Sequence, residues 1–274
     1  MAGLPPAGLD RLSLNQITID QWSLGEVIPA CERAGVPWIA PWRHKVQEVG
    51  VTQAARRLGD SGIKVSSYCR GGFFPALEHE VAARNDDNRR AVDEAAELGS
   101  DVLVLVCGPS IDKDIETARN KVIEGIAALV PHARAAGVKL GIEPLHPMFA
   151  GDRSVVVTLG QANDIASHFP SDVVGVIVDV YHVWWDPCLY REIDRASGRI
   201  LGFHVSDWTV PTEEFLAGRG LMGDGVIELR KIRGAVEAAG YTGPIEVEIL
   251  NRGLWGRSGD EVLGAVVSRF PVHV

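Results

Sequence analysis

The stretch Lys139-Leu140-Gly141-Ile142-Glu143-Pro144-Leu145 decides the fold, together with three later runs built like it: Val174 to Val180, Ile200 to Asp207 and Pro244 to Leu250. Successive side chains on a strand point to opposite faces, so each run divides into two sets. Leu140 and Ile142 oppose Gly141 and Glu143; Val174, Val176 and Val178 oppose Gly175, Ile177 and Asp179. Leu201, Phe203 and Val205 oppose Gly202, His204 and Ser206; Ile245, Val247 and Ile249 oppose Glu246 and Glu248. One face is apolar throughout, and the other mixes glycine with ionisable groups. That pairing suits a closed barrel, whose strands meet helices outside and a narrow interior within.

Four earlier runs share the β-branched character: Arg11 to Asn15, Trp38 to Trp42, Lys64 to Cys69 and Asp101 to Cys107. Between the runs lie stretches with an apolar stripe at helical spacing, predicting helices over Asp20–Ala34, Gln47–Gly59, Asp86–Leu98, Asp114–Ala136, Thr158–His168, Leu189–Ala196, Glu228–Ala239 and Gly259–Arg269. Several close on a glycine that can cap a helix in the left-handed conformation, as at Gly35 and Gly137. Strand–helix units of about 34 residues each fill the chain and predict a closed (β/α)8 TIM barrel, a single domain over 1–274. The rival, an open doubly wound sheet, lacks a Gly-x-Gly-x-x-Gly after its first strand. The longest insertions, Gly71 to Arg84, His146 to Val157, Tyr181 to Pro187 and Trp208 to Gly225, all follow strands, so they gather on the face where such barrels build sites.

The 274 residues are 46% hydrophobic and 23% charged, enough to bury a large core, and the formal net charge is −9. No basic run exceeds a pair such as Arg56-Arg57, so nucleic acid and anionic membranes are poor partners. No apolar stretch approaches a membrane span and Met1 to Asp10 lacks a leader pattern, so the expected location is cytoplasmic. Cys31, Cys69, Cys107 and Cys188 form no Cys-x-x-Cys pair and read as reduced, mostly buried thiols.

Glu143, Asp179, His204 and Glu248 thus point inward near the ends of successive strands. Three carboxylates in one water-poor mouth repel one another unless a cation sits between them. Oxygen donors with one imidazole suit a divalent metal, Mn²⁺ foremost, with Mg²⁺, Co²⁺, Fe²⁺ or Zn²⁺ as alternatives. The bland alternative is a set of hydrogen-bonded polar groups at a barrel mouth. Glu246, deeper in the barrel, calls for a cationic partner that the sequence does not identify.

Four segments carry a resemblance: Gly141-Ile142-Glu143-Pro144-Leu145, Val178-Asp179-Val180-Tyr181-His182, Phe203-His204-Val205-Ser206-Asp207 and Gly243-Pro244-Ile245-Glu246-Val247-Glu248. They resemble the xylose-isomerase-like TIM-barrel superfamily of sugar phosphate isomerases and epimerases, including ketose 3-epimerases and inosose dehydratase. The resemblance implies metal ligation by Glu143, Asp179, His204 and Glu248, substrate contact by His182, and proton transfer by Glu143 and Glu248. It implies a dimer or tetramer, with a hetero-subunit at the mouth as an open alternative. Ketose 3-epimerases usually carry an arginine shortly after the ligand histidine, where this chain reads Asp207-Trp208-Thr209-Val210; Arg219 is the candidate replacement.

A metal holding adjacent carbonyl and hydroxyl oxygens stabilises the enediolate left by proton abstraction, so the expected activity is sugar isomerisation or epimerisation. The runner-up is a lyase that removes the same proton from a 3-keto-glycoside and expels the aglycone. A noncatalytic sugar-binding or assembly subunit is the weakest reading, and endonuclease-type DNA repair is disfavoured by charge and by the few histidines at strand ends. His146, held between Pro144 and Pro147, is a candidate helper base, read equally well as a solvated loop residue. Trp42, Trp184 and Trp208, with Trp185 and Trp255, fall after strands and are candidates to line the mouth against a sugar. Arg43 and Arg219 are candidates to bind a substrate anion, with surface ion pairing as the alternative. An unphosphorylated substrate is expected, because Met222-Gly223-Asp224-Gly225 lacks phosphate-loop partners.

Overall fold

The computed structural model describes residues 5–274 and contains eleven strands. They are β1 (Leu12–Asn15), β2 (Trp38–Ala40), β3 (Lys64–Val65), β4 (Tyr68–Gly72), β5 (Val102–Val106), β6 (Lys139–Glu143), β7 (Val174–Asp179), β8 (Ile200–Val205), β9 (Asp207–Trp208), β10 (Arg219–Gly220) and β11 (Ile245–Val247). Nine pair in the order β3-β2-β1-β11-β8-β7-β6-β5-β4, all parallel, and β9 with β10 forms a separate antiparallel ribbon. A parallel bridge between Trp42 and Cys69 joins the two ends of this sheet. The run expected over Lys64–Cys69 is split: the chain leaves β2 at Val65 and resumes against β5 at Tyr68, so β3 and β4 together fill one barrel position. Ser66 and Ser67, at the step, turn their hydroxyls onto Glu246 inside the barrel, at 3.0 and 2.9 Å.

Helices pack outside, and their limits follow local chemistry. The first long helix starts at Leu24, not Asp20, because Gln16–Ile19 forms a 3-10 turn and Ser23 makes a capping box with Glu26. The helix expected over Gln47–Gly59 is two helices, Arg43–Val49 and Val51–Ser61, separated by Gly50 at φ 83°. The helix expected from Asp86 begins earlier, at Val81.

The outward faces carry the main core, with Leu14, Leu103, Ile142, Val176, Phe203 and Val247 among its buried members. Each such side chain contributes roughly 1.5–3 kcal/mol through removal from water. A smaller apolar plug inside the barrel consists of Val102, Val104 and Ile177, with Leu201 against them. Its presence explains the interior glycines: a Cβ on Gly141 would stand 2.6 Å from Ile177 Cδ1. Leu201 corrects the expected alternation. The register between β7 and β8 shifts at Val176 and Ile177, so Leu201 turns into the plug, while Phe203 and Val205 keep the outward positions assigned to them.

The last barrel position is pinned by Asn88, on the helix Val81–Glu97. Its amide accepts from Gly72 N at 2.6 Å and donates to Gly72 O at 2.9 Å. Gly72 has φ 109°, and a Cβ there would fall 2.0 Å from Val106 O. Asn88→Ala strands both backbone groups and is expected to cost about 2–3 kcal/mol. Urea unfolding should show the loss as a lower midpoint with an unchanged slope.

Candidate metal centre and mouth

Glu143 ends β6, Asp179 ends β7, His204 lies one residue before the end of β8 and Glu248 follows β11. Ligand atoms from these four buried residues lie within 4.8 Å of one another. His204 Nδ1 is 3.3 Å from Glu143 Oε1 and 3.6 Å from Glu248 Oε2, yet neither it nor Glu143 Oε1 makes a hydrogen bond. The other ring nitrogen, Nε2, faces Glu246 Oε1 at 3.6 Å.

Among the described residues Glu246 has no cationic partner besides His204. Beyond His204, it is held by neutral donors: the Ser66 and Ser67 hydroxyls, and Asn15 Nδ2 at 2.7 Å. Asn15, at the end of β1, also donates to Glu248 Oε1 at 3.1 Å and accepts from Trp42 Nε1 at 2.7 Å and from Ile17 N at 3.1 Å. Both N–H groups and both lone pairs of its amide are thereby used, fixing its orientation. The signal for it was present as a polar residue closing the first strand run.

Arg219 reaches the centre through the ribbon in the insertion Trp208 to Gly225. Asp207 folds that insertion by accepting from Trp208 N, Gly223 N and Ile227 N, so it organises the loop rather than meeting substrate. β10 then pairs with β9, and Asn251 Nδ2 donates to Arg219 O at 2.8 Å. The guanidinium donates to Asp179 Oδ2 at 2.8 Å and Glu248 Oε2 at 3.1 Å, and lies 4.6 Å from the centre of the Tyr181 ring.

His182, on the short helix Val180–Val183, completes this side. Its Nδ1 lies 3.2 Å from the donor His146 N and its Nε2 lies 3.1 Å from the donor Arg219 Nη2, with Asp179 Oδ2 3.7 Å from Nε2. Burial pushes its pKa down to about 3, so the ring is neutral. The His146 ring itself stands 5.4 Å from that of Trp185 and 5.2 Å from that of Trp208, and its Nδ1 accepts from Met148 N.

Residues lining the central cavity include Trp42, Glu143, Leu145, Phe149, His182, Arg219 and Glu248, together with Arg70 and Arg153, which the sequence reading passed over. Trp184, Trp208 and His146 are not among them. Trp208 stacks on Tyr181 at 4.8 Å and leans on Trp184, so these rings build a support behind His182. Arg43 is engaged elsewhere, by Glu94 at 2.7 Å and Asp87 at 3.1 Å on the helix Val81–Glu97, with Tyr68 Oη donating to the same Glu94. Its guanidinium ties two outer helices together.

The same carboxyl chemistry gives opposite results at the two glutamates. Burial first, opposed by His204 and reinforced by Glu248, pushes Glu143 up to about 7. Glu248 is also desolvated, but Arg219 and then His204 overcome that and hold it at about 2.

Comparison with known proteins places this geometry among relatives. The family model described as xylose isomerase-like TIM barrel matches residues 28–266. A crystal structure of a Sinorhizobium meliloti 1021 protein is 50% identical, with a TM-score of 0.93 over 96% of this chain and 98% of that one. An IolI protein crystallised with a zinc atom shares the fold at 20% identity, with a TM-score of 0.83 over 95% of this chain and 99% of that one. A 3-dehydroshikimate dehydratase of Pseudomonas putida KT2440 is 27% identical over 73% of this chain, but the match spans only 32% of the dehydratase. An L-ribulose-5-phosphate 3-epimerase of Shigella flexneri is 22% identical over 81% of this chain and 75% of the epimerase.

Because its folded pKa lies above the ordinary carboxylate value, Glu143 binds more protons folded than unfolded in the interval between them. Its contribution to stability is therefore present at acidic pH and lost as pH rises toward about 7. Denaturation of metal-free protein across that interval should show this decline, and Glu143→Gln should flatten it.

Proposed function

The chain belongs to the xylose isomerase-like TIM-barrel family, and from that membership and its site we propose that it is a divalent-metal-dependent isomerase or epimerase of a small sugar or sugar derivative. The observation that carries the reading is the cluster of four buried donors with Glu143 Oε1 and His204 Nδ1 left without hydrogen bonds. Orphaned buried atoms are costly unless a partner meets them, and three carboxylates with one imidazole fit a dication of the Mn²⁺ type. Glu143, Asp179, Glu248 and His204 through Nδ1 are the proposed ligands. His204 Nε2 faces Glu246, the arrangement in which a carboxylate orients a ligating imidazole.

A dication bound there supplies positive charge beside the oxygen on which negative charge collects when the neighbouring carbon loses its proton. The chain supplies the rest. Glu143 and Glu248 enter from separate strands and are the pair assigned to remove and return that proton. Neutral His182 is the proposed contact for a substrate hydroxyl. Trp42, Leu145 and Phe149 give the cavity apolar walls that exclude water. His146 lies outside the lining and acts through its backbone N–H, which orients His182.

A lyase shares the first step and differs in expelling a group from the adjoining carbon. The similarity to the P. putida dehydratase favours it as the second reading. Metal-loaded protein incubated in deuterated water with ketoses and with 3-keto-glycosides separates the two. Isomerisation or epimerisation returns a rearranged, deuterium-bearing sugar; elimination releases a second product.

One Mn²⁺ per chain is expected, with affinity lowered at least about 100-fold in Asp179→Asn. Turnover should fall at least about 100-fold in Glu143→Gln and Glu248→Gln. Chains that bind no metal and turn over no substrate would leave a noncatalytic sugar-binding subunit, and variants that keep full turnover would remove the proposed metal-and-carboxylate mechanism.

A further inference from the structure

We infer that Arg70 and Arg153 form a subsite for an anionic group, a carboxylate or a phosphate, carried by the substrate of this mouth. The inference rests on the sugar-type reading of the site and narrows its substrate class to acidic compounds.

Both arginines line the cavity that holds Glu143 and Glu248. Arg70 is the extra residue of a β-bulge, where the pairing of β4 with β5 jumps from Cys69–Val104 to Gly71–Leu105. Bulges at barrel rims re-aim a side chain, and here the guanidinium lies 4.0 Å from the centre of the Phe73 ring. Arg84 approaches the same ring at 5.9 Å. Phe73 adopts φ 55°, a left-handed conformation unfavourable for a residue with a Cβ, and one that fixes its ring between the two cations.

These charges are poorly partnered among the described residues. Among the described residues the Arg70 and Arg84 guanidiniums make no ion pair, and the Nε atoms of Arg84 and Arg153 are buried without a hydrogen bond. Arg153 has only Asp152, its Nε 4.0 Å from Oδ2. Arg219, by contrast, is ion-paired with both Asp179 and Glu248, though its Nε is also buried without a hydrogen bond. Burial, and then Arg153, Arg43 and Arg84, bring the Arg70 pKa down, which is the sign of a cation crowded by cations.

The charge balance gives the direction. With a dication and Arg219 in place, Glu143, Asp179 and Glu248 are balanced, and the wall carrying Arg70 and Arg153 is locally positive, since Asp152 is mostly exposed and 4.0 Å from Arg153 Nε. Uncompensated guanidiniums in a partly desolvated cavity are costly alone and bind a planar or tetrahedral anion through their donor forks. A neutral sugar leaves that charge unanswered.

The test compares Kd values by calorimetry for a neutral hexose, its hexonate and its 6-phosphate, with Mn²⁺-loaded protein, at low and high salt. At least one anionic ligand should bind about tenfold or more tightly than the neutral sugar, with a margin that shrinks as salt rises. Arg70→Gln and Arg153→Gln should each reduce the anionic-to-neutral ratio about tenfold, with thermal stability and Mn²⁺ stoichiometry unchanged. Preference for hexonate names a carboxylate, and preference for the 6-phosphate names a phosphate. Equal binding of all three, no binding of either anion at millimolar concentration, or a ratio indifferent to both substitutions overturns the subsite. Metal stoichiometry separates the two levels of failure: no bound metal counts against the enzyme reading, whereas bound metal without anion preference counts against the arginines alone.

Discussion

Buried charge must be balanced, and that constraint organises the mouth of this barrel. Glu143, Asp179, Glu246 and Glu248 are each no more than 5% exposed, in an environment where isolated ionised carboxylates cost several kcal/mol each. The protein meets the constraint in layers. At the bottom, Glu246 is surrounded by neutral donors from Asn15, Ser66 and Ser67 and faces the His204 ring. Above it, Arg219 is carried in by a two-stranded ribbon and shared between Asp179 and Glu248. Glu143 has no such cation, and its orphaned oxygen faces the equally orphaned Nδ1 of His204.

The barrel is divided to suit this arrangement. Val102, Val104, Ile177 and Leu201 close part of the interior with an apolar plug. Interior glycines admit Ile177, and a Cβ on Gly202 would press on both Ile177 and His204. The residues that position the site are therefore partly those with no side chain at all. The opposite interior, along β1, the β3–β4 step and β11, is polar and made of short side chains that reach Glu246 without swelling the barrel.

The closed barrel and the Glu143, Asp179, His204, Glu248 set were legible because period-two alternation exposes an ionisable residue recurring on the inner face of strand after strand. What alternation cannot register is a change of register. Leu201 sits where β7 and β8 slip, and Arg70 sits at a bulge in β4; both face inward for reasons that pairing creates. Small polar residues such as Asn15, Ser66 and Ser67 carry little signal of their own, since their role exists only once β11 brings Glu246 beside them. Tryptophans cluster after strands, with Trp184 and Trp208 packed behind Tyr181 and His182 and Trp42 lining the cavity. Arg43 followed Trp42 closely in sequence, but the helix it begins turns its side chain outward to Glu94.

Two carboxylates in one site repel each other when both are ionised, so their proton affinities split, and a nearby cation decides which of them keeps the lower value. The inequality here is built by the insertion between β8 and β11. Asp207 gathers that loop, β9 and β10 return the chain over the mouth, and Arg219 arrives beside Glu248 but not Glu143. Arg219 holds Glu248 well below the ordinary carboxylate range while desolvation lifts Glu143 above it, so one insertion makes the two carboxylates unequal. The same loop leaves Asp179 with both oxygens engaged, Oδ1 by Tyr181 N and Oδ2 by Arg219. The strand ends supply the carboxylates, and the loop laid across them decides which one meets a guanidinium.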